Sequence, residues 1–228
     1  MKQIYSIWLY GKTLLFIILF FPILLVIAII FPSLLYKYAC FLSKGIFWSL
    51  NITREVVGEF PDNGPYILMH NHSSFLDLFF LPTVIKGKYT AIVAAKNFKI
   101  PIIGSILSRI HAIPIYRFNH TQAIKAMKIA EGKIQKGYHI AIFPEGTRTT
   151  TGNLNSFKKG GFHLAIDTGA DILPIVTKGL FDIKPRNRWT IKPGLIEIYI
   201  GEPINSKNKE VNTLLNEVHS FYVNTLNH

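Results

Sequence analysis

The sequence predicts an α/β fold: a mixed, mostly parallel sheet of about seven strands flanked by helices, preceded by an N-terminal hydrophobic two-helix membrane anchor. Two observations carry this. Past residue 53, short β-branched runs alternate with stretches of helical period, the order that gives a sheet covered by helices. Before it, no charged residue occurs between Thr13 and Tyr36.

That apolar block would be roughly 36 Å long as a helix, against a hydrocarbon core of about 30 Å. A cleaved signal peptide fits poorly, because the block is too long and no small-x-small site follows. Pro22 and Pro32 each remove a helix hydrogen bond and predict kinks or a turn. The next stretch, KYACFLSKGIFWSLNI, is apolar and aromatic, with Lys37 and Lys44 placed to snorkel. Two helices are expected, Ile4–Ile30 and Ser33–Leu50, either spanning the bilayer or dipping into one leaflet. Residues 1–52 are then membrane-associated helices and 53–228 the α/β domain. Basic residues on both sides give a small bias toward a domain on the cytoplasmic face.

The expected strands are 53–59, 65–69, 89–95, 111–116, 139–143, 171–176 and 195–201. The expected helices are Ser74–Ile85, Pro101–Ile110, Thr121–Gln135, Gly160–Thr168 and Lys209–Leu226. In the last, Val211, Leu214, Leu215, Val218 and Tyr222 form one apolar stripe, a core face. Lys184–Lys192 reads as a basic, aromatic surface loop.

Composition narrows the partners. The chain is 49% hydrophobic, yet its 25 Lys and Arg against 13 Asp and Glu give a net charge of +12. Apolar and basic together suggest an anionic membrane surface or anionic substrates, with nucleic acid the other usual meaning of a basic chain. The single cysteine, Cys40, excludes an intramolecular disulfide.

Three constellations bear chemistry. In NHSSFLD (71–77), residues five apart on a straight helix lie about 140° apart around its axis, so His72 and Asp77 would not face each other. They meet only if His72 is in a loop and Asp77 in the first helical turn. Ser74-x-x-Asp77 has the form of a capping box, which places Ser74 at the N-cap and Asp77 at N3. Taken alone, the stretch is equally a polar loop and a cap. In HIAIFPEGTR (139–148), a strand ends in a turn where Gly146 allows close backbone approach to a ligand. Arg148 has the planar fork suited to phosphate, and Thr147 adds a hydroxyl. Glu145 is expected to orient Arg148 or to accept a substrate hydroxyl. In KNFKIPIIGSILSRIHAIPIYR (96–117), Pro101 and Gly104 shape a turn and Arg117 ends a strand, where it could converge with Arg148 on one anion. A rival uses the same region: His70 and His72 are an H-x-H pair of the kind some metallohydrolases use for zinc. The other histidines lack a second ligand-spaced cluster.

Taken together, these segments resemble the 1-acyl-sn-glycerol-3-phosphate acyltransferase family. His72-x4-Asp77 matches its H-x4-D motif, FPEGTR matches its second hallmark, and Lys96…Pro101…Gly104…Arg117 looks like its intervening motif. FKKGGFHLA (157–165) and ILPIV (172–176) are similar to later blocks, in the same order. His111, Tyr116 and Ser73 depart from the family pattern and leave the acyl acceptor open.

The resemblance implies a glycerol-phosphate acyltransferase-like fold. It also implies transfer of a fatty acyl group from acyl-CoA or acyl-carrier protein to the sn-2 hydroxyl of lysophosphatidate, giving phosphatidate. His72 would be the general base and Asp77 its orienting acid. Arg117, Glu145, Gly146, Thr147, Arg148 and Lys158 would cradle the glycerol phosphate. The oxyanion donor is left open between Lys96 and a backbone N–H. No cofactor beyond the acyl donor, no metal and no nucleic acid is expected; membrane lipids and an anionic membrane surface are. Another lysolipid acceptor, a membrane-anchored metal-dependent hydrolase using His70 and His72, and a non-catalytic basic membrane-binding protein are the alternatives.

Overall fold

The computed structural model describes residues 1–101, 103–116 and 119–227, and for residues 25, 28, 29 and 32 the main chain alone. All seven expected strands form: β1 (Thr53–Val57), β2 (Ile67–His70), β3 (Tyr89–Ala94), β4 (Ile113–Ile115), β5 (His139–Ile142), β6 (Ile172–Lys178) and β7 (Leu195–Ile200). They make one sheet in the order β1-β7-β6-β2-β5-β3-β4. Every pairing is parallel except β6 with β7, so the sheet is mixed and mostly parallel, as expected.

The helices are α1 (Lys2–Ile30), α2 (Leu35–Ser49), α3 (Asp77–Val84), α4 (Ile103–Arg109), α5 (His120–Ile134), α6 (Gly160–Thr168), α7 (Leu180–Ile183) and α8 (Val211–Asn227). Side-chain alternation divides the core between the two faces of the sheet. Leu68, Leu173, Ile175, Ile196 and Ile198 join Leu9, Ile46, Phe47 and Phe80 beneath α1, α2 and α3. Ile67, Met69, Ile172 and Val176 join Ala126, Ala130, Phe162, Leu214, Val218 and Tyr222 beneath α5, α6 and α8. The C-terminal apolar stripe is indeed a core face. Short β4, with Pro114 at its centre, is an edge strand, where a missing N–H costs least.

The N-terminal helices match expectation in part. Pro22 sits within a continuous α1, and the expected turn forms at the 3-10 segment Pro32–Leu34. Among the described residues only Lys2–Leu24 is long and apolar enough to cross a membrane, with a mean hydropathy of 2.0. Helix α2 has 15 residues, six of them buried, and packs on α1 and α3. The packing also runs across residue 52, since Leu9 and Phe47 are buried in the same core as the strands.

His139 opens β5 and is buried against Tyr66 and Phe60, its Nδ1 accepting the Tyr66 N–H at 3.0 Å. Burial lowers its pKa below the ordinary histidine value, so the folded chain keeps the ring neutral. Below about pH 6.5 the unfolded chain binds a proton that the folded chain refuses, and stability falls as pH falls. Buried His70 acts in the same direction. His139→Asn keeps an acceptor for Tyr66 without titrating. Its urea midpoint should drop less between pH 7.5 and 5.5 than that of the parent; an identical drop would exclude His139 as a contributor.

Candidate active site

Strands β2 and β5 are adjacent and parallel, so the loops that leave their carboxyl ends emerge side by side, where open α/β sheets bind ligands. The first loop is fixed from behind by Asn71. Its side chain accepts from Thr177 N–H at 2.8 Å and donates to Thr177 C=O at 3.0 Å, taking the place of another strand's main chain. His70 Nε2 meets Thr177 Oγ1 at 2.8 Å, and its ring lies between Phe80 and Phe143. Burial holds the His70 pKa well below the usual value.

His72 is held on every side. Its N–H donates to Glu145 Oε1 at 2.6 Å, and its C=O accepts from Thr149 N–H at 2.8 Å. The ring stacks on Phe143 with centroids 3.9 Å apart and planes 17° apart. Nδ1 lies 2.6 Å from Asp77 Oδ2. A carboxylate only accepts, so Nδ1 donates to it, and in the neutral ring this tautomer leaves the lone pair on Nε2. The His72 side chain is 15% exposed and that of Asp77 is fully buried.

Asp77 Oδ2 also accepts the N–H groups of Ser73 at 2.9 Å and Ser74 at 3.0 Å. Burial pushes the Asp77 carboxyl up, while the donors from His72, Ser74 and Ser73 pull it back toward the ionised form. The capping box forms only in half. Asp77 reaches back to Ser74 N–H, but α3 begins at Asp77 itself rather than at Ser74. The Ser74 hydroxyl accepts from Leu76 N–H at 3.2 Å and donates to Lys184 C=O at 2.7 Å, a partner 110 residues away.

The second loop gives Glu145 a role unlike the one expected. It forms no ion pair with Arg148 among the described residues. Its two oxygens accept main-chain N–H groups, Oε1 from His72 and Oε2 from Asn155 at 2.8 Å. It is a buried clamp between loops rather than a group facing substrate. Burial raises its pKa, with the donors from His72 and Asn155 opposing the shift. Gly146 has φ 70°, the left-handed turn that only glycine adopts without strain, and its N–H bonds Phe143 C=O at 2.9 Å. Thr147 and Lys158 are exposed at the rim and Arg148 is half-buried. Arg117 lies outside the described residues. Lys96 is exposed on the 3-10 turn Ala95–Lys99.

Sequence reasoning missed Asn71, Phe143, Thr149, Asn155 and Thr177 as parts of this site. Asn71 and Phe143 stand inside the quoted motifs and could have been asked what they hold; Thr177 carries no local signal. The H-x-H pair splits, His70 to Thr177 and His72 to Asp77. Among the described residues no group of three or more His, Cys, Asp and Glu is arranged to hold a metal ion.

A buried carboxylate orienting a histidine whose other nitrogen is free is an arrangement for moving a proton. A family model described as Acyltransferase matches residues 52–178. The chain belongs to the acyltransferase family. It is 33% identical over 176 residues to the chloroplastic 1-acyl-sn-glycerol-3-phosphate acyltransferase LPAT1 of Arabidopsis thaliana, covering 76% of this chain and 48% of that protein. It is 29% identical over 185 residues to the 1-acyl-sn-glycerol-3-phosphate acyltransferase of Cocos nucifera, covering 79% of this chain and 60% of that protein. The chain thus spans about half the length of the curated relatives it matches. The crystal structure of the 1-acyl-sn-glycerophosphate (LPA) acyltransferase PlsC from Thermotoga maritima shares the fold. Its TM-score is 0.83 at 24% identity, over 97% of this chain and 94% of that one. The family resemblance carried by the motifs is borne out.

The Glu145 clamp is open to a direct test. Glu145→Gln turns an acceptor oxygen into an NH₂ that faces a main-chain donor. Leaving a buried donor unpaired costs about 1–3 kcal/mol, so urea unfolding should show a loss in that range. An unchanged midpoint would mean that the two loops do not depend on this carboxylate.

Proposed function

We propose that this acyltransferase transfers a fatty acyl group from acyl-CoA or acyl-carrier protein to the sn-2 hydroxyl of lysophosphatidate, giving phosphatidate. The observation that carries the reading is the 2.6 Å bond from His72 to Asp77, with Nε2 left free. An alcohol is a poor nucleophile at neutral pH. His72 Nε2 takes the hydroxyl proton as its oxygen attacks the thioester carbonyl. Asp77 keeps the ring in the required tautomer and stabilises the imidazolium that forms, as the acid does in serine hydrolases. The tetrahedral intermediate then collapses, the C–S bond breaks, and the imidazolium can return its proton to the departing thiolate. Arg148, Thr147 and Lys158 at the rim suit the acceptor phosphate, and Arg117 is placed with them on the motif alone. The names of the relatives favour lysophosphatidate over other lysolipids as acceptor.

The reading also assigns α1 to the membrane, where the acceptor and product reside. Leu14, Leu15, Ile18, Leu19, Ile23, Val26 and Ile30 are each about half exposed, an apolar surface that lipid would cover. At its near end, Lys12 Nζ lies 4.7 Å from the Trp8 ring and 5.2 Å from that of Trp48, the pairing of cation and indole that suits a membrane–water interface. The net charge of +12 favours an anionic leaflet and anionic acyl donors, and with it the cytoplasmic face.

His72→Ala should lower kcat/KM by about 10²–10⁴ with the fold retained, followed as thiol released from acyl-CoA in the presence of lysophosphatidate. Asp77→Asn should fall comparably through the wrong tautomer. Turnover that survives His72→Ala would refute the mechanism. For the anchor, each buried Leu or Ile is worth roughly 1.5–3 kcal/mol. Replacing Leu15, Ile18 and Leu19 together with Ser should therefore weaken co-sedimentation with phosphatidylglycerol-containing vesicles by more than about tenfold. Undiminished sedimentation would place the membrane contact elsewhere.

A further inference from the structure

The acidic residues are unevenly placed. Residues 1–54 and 78–130 contain no Asp or Glu, although Lys and Arg recur through both. In the fold these two stretches are neighbours. The first supplies α1 and α2, and the second runs from α3 through β3, α4 and β4 into α5. Tyr36 of α2 donates to Tyr89 C=O of β3 at 3.0 Å. Ile110, directly after α4, packs against Leu24, Leu35 and Leu42 of the α1–α2 pair. Leu24 lies roughly 15 Å beyond Leu14 along α1. The end of α4 therefore abuts the stretch of α1 whose half-exposed apolar surface the reading above places in lipid.

Between the 3-10 turn Ala95–Lys99 and α4 lies a groove of about 430 Å³. Phe98, Lys99, Ile100, Ser105, Ser108 and Arg109 line it, and no carboxylate does. Main-chain packing fixes its walls. A Cβ at Gly104 would collide with Phe98 C=O, and Gly104 N–H donates to Ile100 C=O at 2.8 Å. Neither Lys99 nor Arg109 pairs with a carboxylate among the described residues. Ser108 Oγ donates to Gly104 C=O at 2.9 Å, so Ser105, exposed on the same helix, is the hydroxyl open to a ligand. Ile100 is 44% exposed, an apolar tip beside the Lys99 cation.

We propose that this groove seats the phosphodiester headgroup of an anionic phospholipid, a second attachment to the leaflet beside α1. The proposal rests on the reading that puts α1 in lipid. Arg109 supplies a planar fork, Lys99 a point charge and Ser105 a hydroxyl donor for the phosphate oxygens. Phe98 and Ile100 suit the glycerol and first acyl carbons. A soluble anion would meet the cations alone. A lipid also covers the apolar part of the lining and continues the surface that α1 offers. One helix in lipid leaves the body free to rotate about that helix. A second contact fixes the rotation, and with it the direction from which a membrane-borne acceptor meets His72.

The test is co-sedimentation of the full chain with vesicles of phosphatidylcholine, alone or mixed with phosphatidylglycerol, at sub-saturating lipid. Lys99→Gln with Arg109→Gln should lower partition onto the phosphatidylglycerol vesicles by about tenfold or more. Partition onto phosphatidylcholine alone should fall by less than about twofold. Ser105→Gln fills the groove without a change of charge and should give a selective loss of the same sign. Lys125→Gln with Lys128→Gln removes two exposed cations from α5, which covers the other face of the sheet from α1. That variant should lose less than about threefold. An equal loss in the α5 variant, or none in Ser105→Gln, would reduce the effect to general charge and overturn the proposal. Unchanged partition of the Lys99 and Arg109 variant overturns it too. So does calorimetric binding of CoA, without lipid, that falls in this variant while partition does not, since the groove would then serve a soluble anion. In thiol release on mixed vesicles, the variant should raise KM for lysophosphatidate and keep kcat within about twofold. A fall in kcat at constant KM would refute the orienting role. Replacing Leu15, Ile18 and Leu19 with Ser separates the two readings, because it should weaken binding to both kinds of vesicle. Loss confined to the groove variants would refute the placement of α1 in lipid and leave the groove standing.

Discussion

The structure turns on how the main chain of His72 is held. Its N–H goes to the carboxylate of Glu145 and its C=O takes the N–H of Thr149, so one loop grips both polar groups of a single residue in the other. This is possible because β2 and β5 are parallel neighbours and release their loops at the same end of the sheet. A loop residue with exposed main chain would sample many conformations. Here those groups are satisfied by protein, and the ring inherits a fixed origin before any side-chain contact is made. Burying Glu145 has a desolvation cost, offset by two main-chain donors aimed at its two oxygens.

The spacing of the H-x4-D motif follows from the same economy of donors. Three of them, His72 Nδ1 and the N–H groups of Ser73 and Ser74, converge on one oxygen of Asp77. The chain must curl through a turn for consecutive amides to point at one atom, and the residues between Ser74 and Asp77 form that turn. A carboxylate at helical spacing from the histidine would have faced it from within a continuous helix, with no free amides to share. The motif is thus a closed loop around a carboxylate, and orientation of the imidazole is one of three bonds that close it. Phe143 completes the arrangement by stacking on the ring, so rotation about the bond to Asp77 is limited as well as translation.

What the sequence made legible was periodic or local. All seven strands were readable because β-branched runs recur between helical stretches, and the pairing of His72 with Asp77 followed from a loop-then-helix argument. The misreadings share one cause, competition from distant partners. Ser74 was expected to cap α3, but its hydroxyl found the carbonyl of Lys184, 110 residues on, and the helix begins three residues later. Glu145 was expected to serve its neighbour Arg148, but its partner is the His72 amide, 73 residues back. Asn71 and Thr177 exchange both main-chain-like bonds across a sequence gap of 106 residues. Nothing in a local window distinguishes these from ordinary polar loop residues.

The relation between α1 and the site has a mechanical consequence. Ser6 is buried and bonds both main-chain groups of Ile191, and Tyr10 donates to Trp189 C=O at 2.6 Å. The segment that receives these bonds runs back to Lys184, whose carbonyl holds Ser74 at the His72 turn. Leu9, on the same helix, is fully buried in the core shared with β6 and β7. Ser6, Leu9 and Tyr10 therefore root one face of α1 in the α/β body, while its other face is exposed and apolar from Ile4 through Trp8 and again from Leu14 to Ile30. A flexible tether would let the site wander over many heights above a membrane. With α1 in lipid as proposed above, a helix rooted in the core fixes that height, so the depth of α1 also sets where His72 stands relative to the headgroups. In the proposed arrangement α1 would position the site as well as anchor it.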